Sequence, residues 1–258
     1  MENLSFGQYS LVYNAFSFTF ATMAAATLFL WFGRSQVGHA YKTALTISGL
    51  VCAIAAYHYL RIFQSWEGAF DIQRGVTGDF NVTASGYAFN QAYRYVDWLL
   101  TVPLLLIELI LVMRLSQEET VSKALKLGSA AALMILLGYP GEVATDISTR
   151  VLWGTLSSIP FLYIVYQLFV GLGASIANQP ENVRGLVKKA RLLTFASWGF
   201  YPIVYMIPYT NLSGSNVTVG VEIGYTIADL IAKAGVGVLI YMIAVRKSQV
   251  EYGDKAVG

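Results

Sequence analysis

The sequence predicts an all-α membrane protein in which seven transmembrane helices form one domain over residues 1–258. Of its residues, 56% are hydrophobic and only 12% are charged, whereas soluble domains carry about 25% charged residues. Apolar stretches of about 20 residues, the length that spans a bilayer as a helix, recur along the chain. They cover residues 9–32, 40–63, 88–114, 121–139, 149–172, 187–208 and 217–245.

Composition excludes several other classes of protein. Cys52 is the only cysteine, so the chain can form no internal disulfide and has no cysteine spacing typical of a metal site. The net charge of +2 is small and no Lys/Arg-rich run is present, so we expect no nucleic-acid partner. The first apolar stretch has no basic residue before it and is longer than the core of a signal peptide, so we expect it to remain as a membrane helix.

The segment between the second and third apolar stretches, Gln64 to Ser85, is longer and more polar than the other connections. Its glycines, among them Gly75 and Gly78, favour a turn. We expect a short extracellular hairpin over one mouth of the bundle.

The basic residues predict the orientation of the helices. One side of the membrane would hold twelve Lys and Arg residues, and the other side only Arg61, Arg74 and Arg150. Because cytoplasmic loops carry the excess of Lys and Arg, we expect a multi-pass protein of the inner (plasma) membrane, with its N-terminus outside and its C-terminus in the cytoplasm. The twelve are Arg34, Lys42, Arg114, Lys123, Lys126, Arg184, Lys188, Lys189, Arg191, Arg246, Lys247 and Lys255.

Two charged residues lie in the middle of the seventh stretch. Asp229 precedes Lys233 by four residues, so the two side chains share one face of the helix. Charges at this depth in a bilayer are costly and usually functional. The pair is either a structural ion pair or a lysine that forms a Schiff base with an aldehyde, whose protonated form needs a carboxylate counter-ion.

The third stretch carries two carboxylates on one helix face. Asp97 is followed by Thr101 after four residues and by Glu108 after eleven, which is about three helical turns. The two acids are then about 16 Å apart along the axis, too far for a catalytic pair on one substrate but suited to a proton relay. Arg94, three residues before Asp97, could stabilise the ionised acid. The alternative is that these polar residues only hold the bundle together.

Three segments resemble the microbial (type 1) rhodopsins. Residues 94–104, RYVDWLLTVPL, resemble the third helix of bacteriorhodopsin and proteorhodopsin; residues 229–233, DLIAK, resemble their seventh helix, and residues 198–202, WGFYP, their sixth. The order of all seven stretches is preserved over nearly the whole chain. Among the proton pumps of this family, a glutamate at 108 is closer to the proteorhodopsin and xanthorhodopsin group than to bacteriorhodopsin.

This resemblance implies a light-driven outward proton pump with all-trans retinal. Lys233 would carry retinal as a protonated Schiff base, Asp97 would be the counter-ion and proton acceptor, Asp229 the second counter-ion and Glu108 the proton donor. Arg94 and Thr101 would assist them. Lining residues implied for the retinal pocket are Trp98, Leu105, Met134, Gly154, Ser157, Phe161, Trp198, Tyr201, Pro202 and Tyr205. We also expect Tyr59 and Tyr201 to hydrogen-bond to Asp229, and a homo-oligomer in the membrane lipid.

The resemblance suggests three further details. His58 would bond to Asp97, although a lone membrane histidine can also be an ordinary core residue. Leu105 would favour green absorption. Gly154 would open a gap beside retinal for a carotenoid antenna; the alternative is a glycine that allows close helix packing.

Some questions stay open at this stage. For the group that releases protons, Glu222 is the only acid near the outer end of the seventh stretch, and Glu67 and Glu142 fall in predicted loops. A light sensor that signals through a partner protein is an alternative function. A colourless seven-helix transporter, with Lys233 and Asp229 as a simple ion pair, is another.

Overall fold

Seven long helices form the architecture of the computed structural model, which describes residues 4–75, 78–210, 212 and 214–253. The predicted seven-helix bundle is confirmed. In chain order the helices are α1 (Phe6–Phe32), α2 (His39–Ala69), α3 (Ala92–Met113), α4 (Gln117–Glu142), α5 (Ile147–Tyr166), α6 (Glu181–Met206) and α7 (Ser215–Tyr252). Short helical turns follow three of them, at Gly33–Gln36, Gln167–Ala177 and Ile207–Tyr209.

Six of these helices are long and apolar enough to cross a membrane. The exception is α6, whose first turns carry Arg184, Lys188, Lys189 and Arg191. The 26 residues of α6 equal the length of α4, and its remaining turns from Leu192 onward are apolar. The mean hydropathy of α6 is therefore lowered by the charged residues in its first turns.

The predicted hairpin is also confirmed. Strands β1 (Phe70–Arg74) and β2 (Phe80–Ala84) pair antiparallel, with Ile72 opposite Val82. Phe80 stacks on Phe6 at the start of α1, with ring centroids 4.5 Å apart. We call the end of the bundle where α1 begins and α2 ends the hairpin end.

Helix α3 lies at the centre of the bundle. Some 61% of its apolar segment is buried, compared with 17% for α4 and for α5. Both ends of α3 are held by contacts with distant residues. At the end opposite the hairpin, the Lys247 ammonium of α7 donates to the main-chain oxygens of Val112 and Met113, at 3.1 and 3.3 Å, and to Gln179. Lys247 thus satisfies carbonyl groups that a helix C-terminus leaves free, although its sequence position suggested only a basic residue at the membrane surface.

Helices α6 and α7 approach closely where α7 has a glycine. A Cβ atom on Gly224 would lie 2.7 Å from Cγ2 of Val204, which is fully buried in α6. Because Val204 is β-branched and cannot rotate freely, the helices would have to separate to admit a larger residue.

We therefore expect Gly224→Ala to lower the free energy of unfolding by about 1–3 kcal/mol, the usual cost of overpacking. Thermal denaturation of the purified protein measures this effect. Gly185→Ala in α6 is the matched control, because a Cβ there meets no atom within 4 Å. Equal melting temperatures for the two variants would show that the α6–α7 contact yields without cost.

Candidate functional site

Lys233 is buried between two carboxylates in the middle of the bundle. Its Nζ atom lies 2.5 Å from Oδ2 of Asp97 on α3 and 2.8 Å from Oδ1 of Asp229 on α7. All three side chains are at most 1% exposed. The predicted sharing of one helix face by Asp229 and Lys233 is confirmed, and Lys233 falls in a π-helical turn, Ile231–Gly235.

The two carboxylates differ in the number of hydrogen bonds that they accept. Besides the bond from Lys233, Asp229 accepts bonds from the hydroxyl groups of Tyr59 (2.7 Å) and Tyr201 (2.6 Å) and from Nε1 of Trp98 (3.0 Å). The two tyrosine contacts were expected, and the indole contact is additional. Within the part of the chain that the structure describes, Oδ1 of Asp97 has no hydrogen-bond partner. Both oxygens of Asp229 are therefore hydrogen-bonded within the protein, while Asp97 keeps one oxygen without a partner.

His58 lies beside Asp97 without the expected hydrogen bond. Its Nδ1 atom is 3.9 Å from Oδ1 of Asp97 and 2.9 Å from the main-chain oxygen of Ile54. The ring nitrogen is hydrogen-bonded to the carbonyl one turn earlier in α2, so the imidazole lies near Asp97 without a hydrogen bond to it.

One further expectation for α3 differs from the structure. Arg94 does not contact Asp97; its Nη2 atom pairs with Oε2 of Glu222 at 2.8 Å. Thr101 donates to the main-chain oxygen of Asp97 at 2.8 Å and not to its carboxylate. Sharing a helix face placed these residues near Asp97, but the longer side chain of Arg94 reaches an acid on α7.

Glu108 is isolated on the other side of Lys233. Its side chain is fully buried, and neither carboxyl oxygen has a hydrogen-bond partner among the described residues. Ser48 of α2 is a polar neighbour, and its hydroxyl is also unpartnered there. A carboxyl in such a place is held most easily in its neutral form.

A cavity of about 810 Å³, including its mouth, extends from Lys233 between α3, α4, α5, α6 and α7. All ten residues that the resemblance placed in the retinal pocket line it: Trp98, Leu105, Met134, Gly154, Ser157, Phe161, Trp198, Tyr201, Pro202 and Tyr205. Residues that sequence reasoning missed are Tyr95, Val102, Ile135, Gly138, Ser158 and Tyr225. The walls are mostly apolar and aromatic, with one amine at the end, which fits a polyene aldehyde such as retinal.

Gly154 is packed against an aromatic ring. A Cβ atom on it would lie 2.9 Å from Cε1 of Tyr205. The Tyr205 ring is itself fixed, since its hydroxyl donates to the main-chain oxygen of Arg150 at 2.9 Å and the Arg150 guanidinium lies 4.1 Å from the ring centroid. A side chain at position 154 would therefore crowd an aromatic ring of α6 that is held in place.

A buried acid that the sequence analysis placed in a loop lies at the hairpin end. Glu142 was expected in a loop, but it is the last residue of α4, and its carboxylate pairs with Arg150 at 3.1 Å. The hydroxyl groups of Tyr225 (3.1 Å) and Tyr95 (3.4 Å) also donate to it. No pattern in the sequence predicts this cluster, because its members come from α3, α4, α5 and α7.

Polar groups thus continue from the centre to the hairpin end. Glu222 is buried, accepts a hydrogen bond from Gln91 and pairs with Arg94. The Arg94 guanidinium lies 5.1 Å from the ring centroid of Tyr225, whose hydroxyl donates to Glu142. Tyr225 therefore lies between the two arginine–glutamate pairs.

Comparisons with known proteins agree with this geometry. The family model of bacteriorhodopsin-like proteins matches residues 12–247. Green-light absorbing proteorhodopsin of Gamma-proteobacterium EBAC31A08 is 30% identical over 241 residues, which cover 92% of this chain and 88% of that protein. Bacteriorhodopsin of Halobacterium salinarum is 30% identical over 224 residues, which cover 85% of this chain and 79% of that protein.

Two solved structures are similar over almost their full length. One is xanthorhodopsin, described as a light-driven ion pump with dual chromophore, with 52% identity, a TM-score of 0.91 and coverage of 97% of this chain and 98% of that one. The other is thermophilic rhodopsin, with 48% identity, a TM-score of 0.92 and coverage of 98% and 99%. The buried lysine between two aspartates thus lies in a fold that this chain shares with these proteins. The chain is a member of the bacteriorhodopsin-like family of microbial rhodopsins.

Proposed function

We propose that this protein is a light-driven pump that moves protons out of the cell, with retinal joined to Lys233. The observation that supports this proposal best is the contact of Lys233 Nζ with two carboxylates, Asp97 and Asp229, which differ in the number of hydrogen bonds that they accept. When bound, retinal supplies light absorption and a change of shape that the side chains themselves lack. The remaining steps belong to the residues of this chain.

Asp97 is the better acceptor for the Nζ proton. Its Oδ2 atom is 2.5 Å from Nζ, and its Oδ1 atom has no partner among the described residues. Asp229 has three neutral donors that stabilise its charge, so a proton placed there would disrupt bonds from Tyr59, Trp98 and Tyr201. We infer that Asp97 takes up the proton while Asp229 stays ionised.

Glu108 is suited to return a proton to Lys233 from the other side. It lies on α3 in apolar surroundings, fully buried and without a charged partner among the described residues. Relatives that pump chloride lack a carboxylate at the position of Asp97, and sodium pumps place other residues at 97, 101 and 108. The acids of this chain therefore favour protons as the transported ion.

The direction of transport follows from the orientation of the bundle. The end opposite the hairpin carries most of the Lys and Arg residues, which favours the cytoplasmic side for that end. Protons from Asp97 would then leave through the cluster of Arg94, Glu222, Tyr225 and Glu142 at the hairpin end. This cluster offers a release route that the sequence had left open.

A carotenoid antenna beside Gly154 is a finer proposal. It is supported by the 52% identical xanthorhodopsin, described as having a dual chromophore, and by exposed apolar neighbours on α5, Val151 and Leu152. The contact of Gly154 with Tyr205 favours the packing alternative, so an experiment has to decide between them.

We expect Asp97→Asn to abolish pumping and to shift the visible absorption to the red, because the counter-charge beside Nζ is lost. Illuminated cells, followed by external pH with and without a protonophore, measure pumping; the unmodified protein should acidify the medium. Asp71→Asn on the exposed strand β1 is the control and should pump normally.

An unshifted spectrum would exclude Asp97 as counter-ion, and no light-driven pH change in the unmodified protein would favour a sensor. Failure to form any visible band with retinal would favour a colourless transporter.

Glu108→Gln should slow the return of the proton to Lys233 by on the order of 10²-fold, since the proton must then come from bulk water. The slowing should increase with pH, because fewer protons are available. Time-resolved absorption after a laser flash measures this rate. Glu119→Gln, near the start of α4 and exposed, is the matched control. Decay as fast as in the unmodified protein at high pH would contradict the donor role.

Gly154→Trp should remove any contribution of an added carotenoid to the action spectrum of proton pumping, because the indole fills the space beside Tyr205. Gly185→Trp, at an exposed position with open space around it, should leave that contribution unchanged. The visible retinal band shows whether each variant is folded. If the unmodified protein gains nothing from a carotenoid, the glycine serves packing alone.

A further inference from the structure

A polar pocket opens between α2 and α3 at the hairpin end, apart from the lysine site. It measures about 560 Å³, including its mouth, and is lined by Arg61, Gln64, Ser65, Ala88, Asn90 and Tyr93. None of these residues takes part in the proton route proposed above. Arg61 is one of only three basic residues that the sequence assigns to this side.

The acceptor atoms of the pocket are already engaged. Oε1 of Gln64 accepts from Arg61 at 3.2 Å, and the hydroxyl of Tyr93 accepts from Arg61 at 2.9 Å. Ser65 Oγ accepts from the main-chain nitrogen of Asn90 at 2.9 Å. Asn90 Oδ1 accepts from the nitrogen of Ala92 at 3.0 Å.

These side chains also carry hydrogen-bond donors that are not used within the described residues. The amide groups of Gln64 and Asn90 keep their N–H bonds, the hydroxyl groups of Ser65 and Tyr93 keep their protons, and Arg61 has further N–H groups. A pocket that combines one arginine with several neutral donors is complementary to an anion with several oxygen atoms.

Arg61 also has no charged partner among the residues that the structure describes. Within the described residues, no carboxylate lies within ion-pair distance of its guanidinium, whereas Arg94 and Arg150 each pair with a glutamate. Arginine binds phosphate groups through two parallel hydrogen bonds, and its charge makes those bonds stronger.

The pocket continues into an apolar surface that faces lipid. Tyr57, one turn before Arg61 on the same face of α2, is 59% exposed. Val96 and Leu100 follow Tyr93 by three and seven residues on one face of α3, and each is 47% exposed. These residues lie deeper in the membrane than the pocket, as the acyl chains of a phospholipid do relative to its phosphate.

We propose that this pocket binds the phosphate group of an anionic phospholipid in the leaflet at the hairpin end. Arg61 supplies the charge, and Tyr93, Asn90 and Gln64 supply the neutral donors. The acyl chains lie along Tyr57, Val96 and Leu100. The site does not depend on retinal or on transport.

Native mass spectrometry of the delipidated protein, titrated with dioleoylphosphatidylglycerol, tests the proposal. We expect one tight site in the unmodified protein and about tenfold weaker binding in Arg61→Gln, the effect of losing charge-assisted hydrogen bonds. Arg61→Lys should retain part of the affinity because it keeps the charge. Arg74→Gln is the matched control, with the same change of charge at the same end on an exposed strand residue.

Three further arms decide between the explanations. Dioleoylglycerol has the same chains without phosphate and should not occupy the tight site; equal binding would overturn recognition of the phosphate. Inorganic phosphate that binds where the phospholipid does not would overturn the lipid as ligand.

Tyr93→Phe removes one donor and should weaken binding several-fold without removing Arg61, so it still tests the site if Arg61→Gln does not fold. Equal affinity for the phospholipid in the unmodified protein, Arg61→Gln and Tyr93→Phe would overturn the proposal.

Discussion

The ammonium group of Lys233 is buried with two carboxylates around it, and the arrangement of the helices follows from this cluster. An ion taken out of water costs several kcal/mol unless partners replace the lost hydration. Asp97 and Asp229 balance the lysine, and together they carry one negative charge in excess. Tyr59, Trp98 and Tyr201 stabilise that excess on Asp229. The contacts reach α2, α3, α6 and α7, so these four helices have to meet at one level of the bundle.

Polar residues lie at three successive depths along the central helix, α3. Arg94 is held by Glu222 at the hairpin end, Asp97 faces Lys233, and Glu108 lies in apolar surroundings beyond it. Lys247 holds the far end of α3 through the carbonyls of Val112 and Met113. A helix fixed at both ends keeps its acids at constant depth, which a relay of protons requires.

Local spacing made much of this predictable from the sequence. The spacing of four positions from Asp229 to Lys233 places both on one helix face, however the helices pack, and the lengths of the apolar stretches define the helices. The resemblance supplied Lys233 and ten further residues that line the cavity, and it missed six others. The partner of Arg94 was not predictable, since a long side chain can reach groups on several helices. His58 instead bonds within its own helix, to the main-chain oxygen of Ile54. Glu142 and Arg150 were missed because only the packed bundle brings the ends of α4 and α5 to Tyr225.

Asymmetry about Lys233 is what outward transport by this protein would depend on. Toward the hairpin, Arg94, Glu222, Tyr225 and Glu142 form a nearly continuous series of polar contacts. Toward the other end, Glu108 has no hydrogen-bonded neighbour among the described residues. In the proposed pump, a proton on Asp97 would therefore have a series of hydrogen-bonding groups near it on the hairpin side, whereas Glu108 on the other side stands without hydrogen bonds among the described residues. In the proposed pump, Glu108 would exchange protons with water at the end opposite the hairpin only when α3 and its neighbours move apart, because in this structure the carboxyl is fully buried.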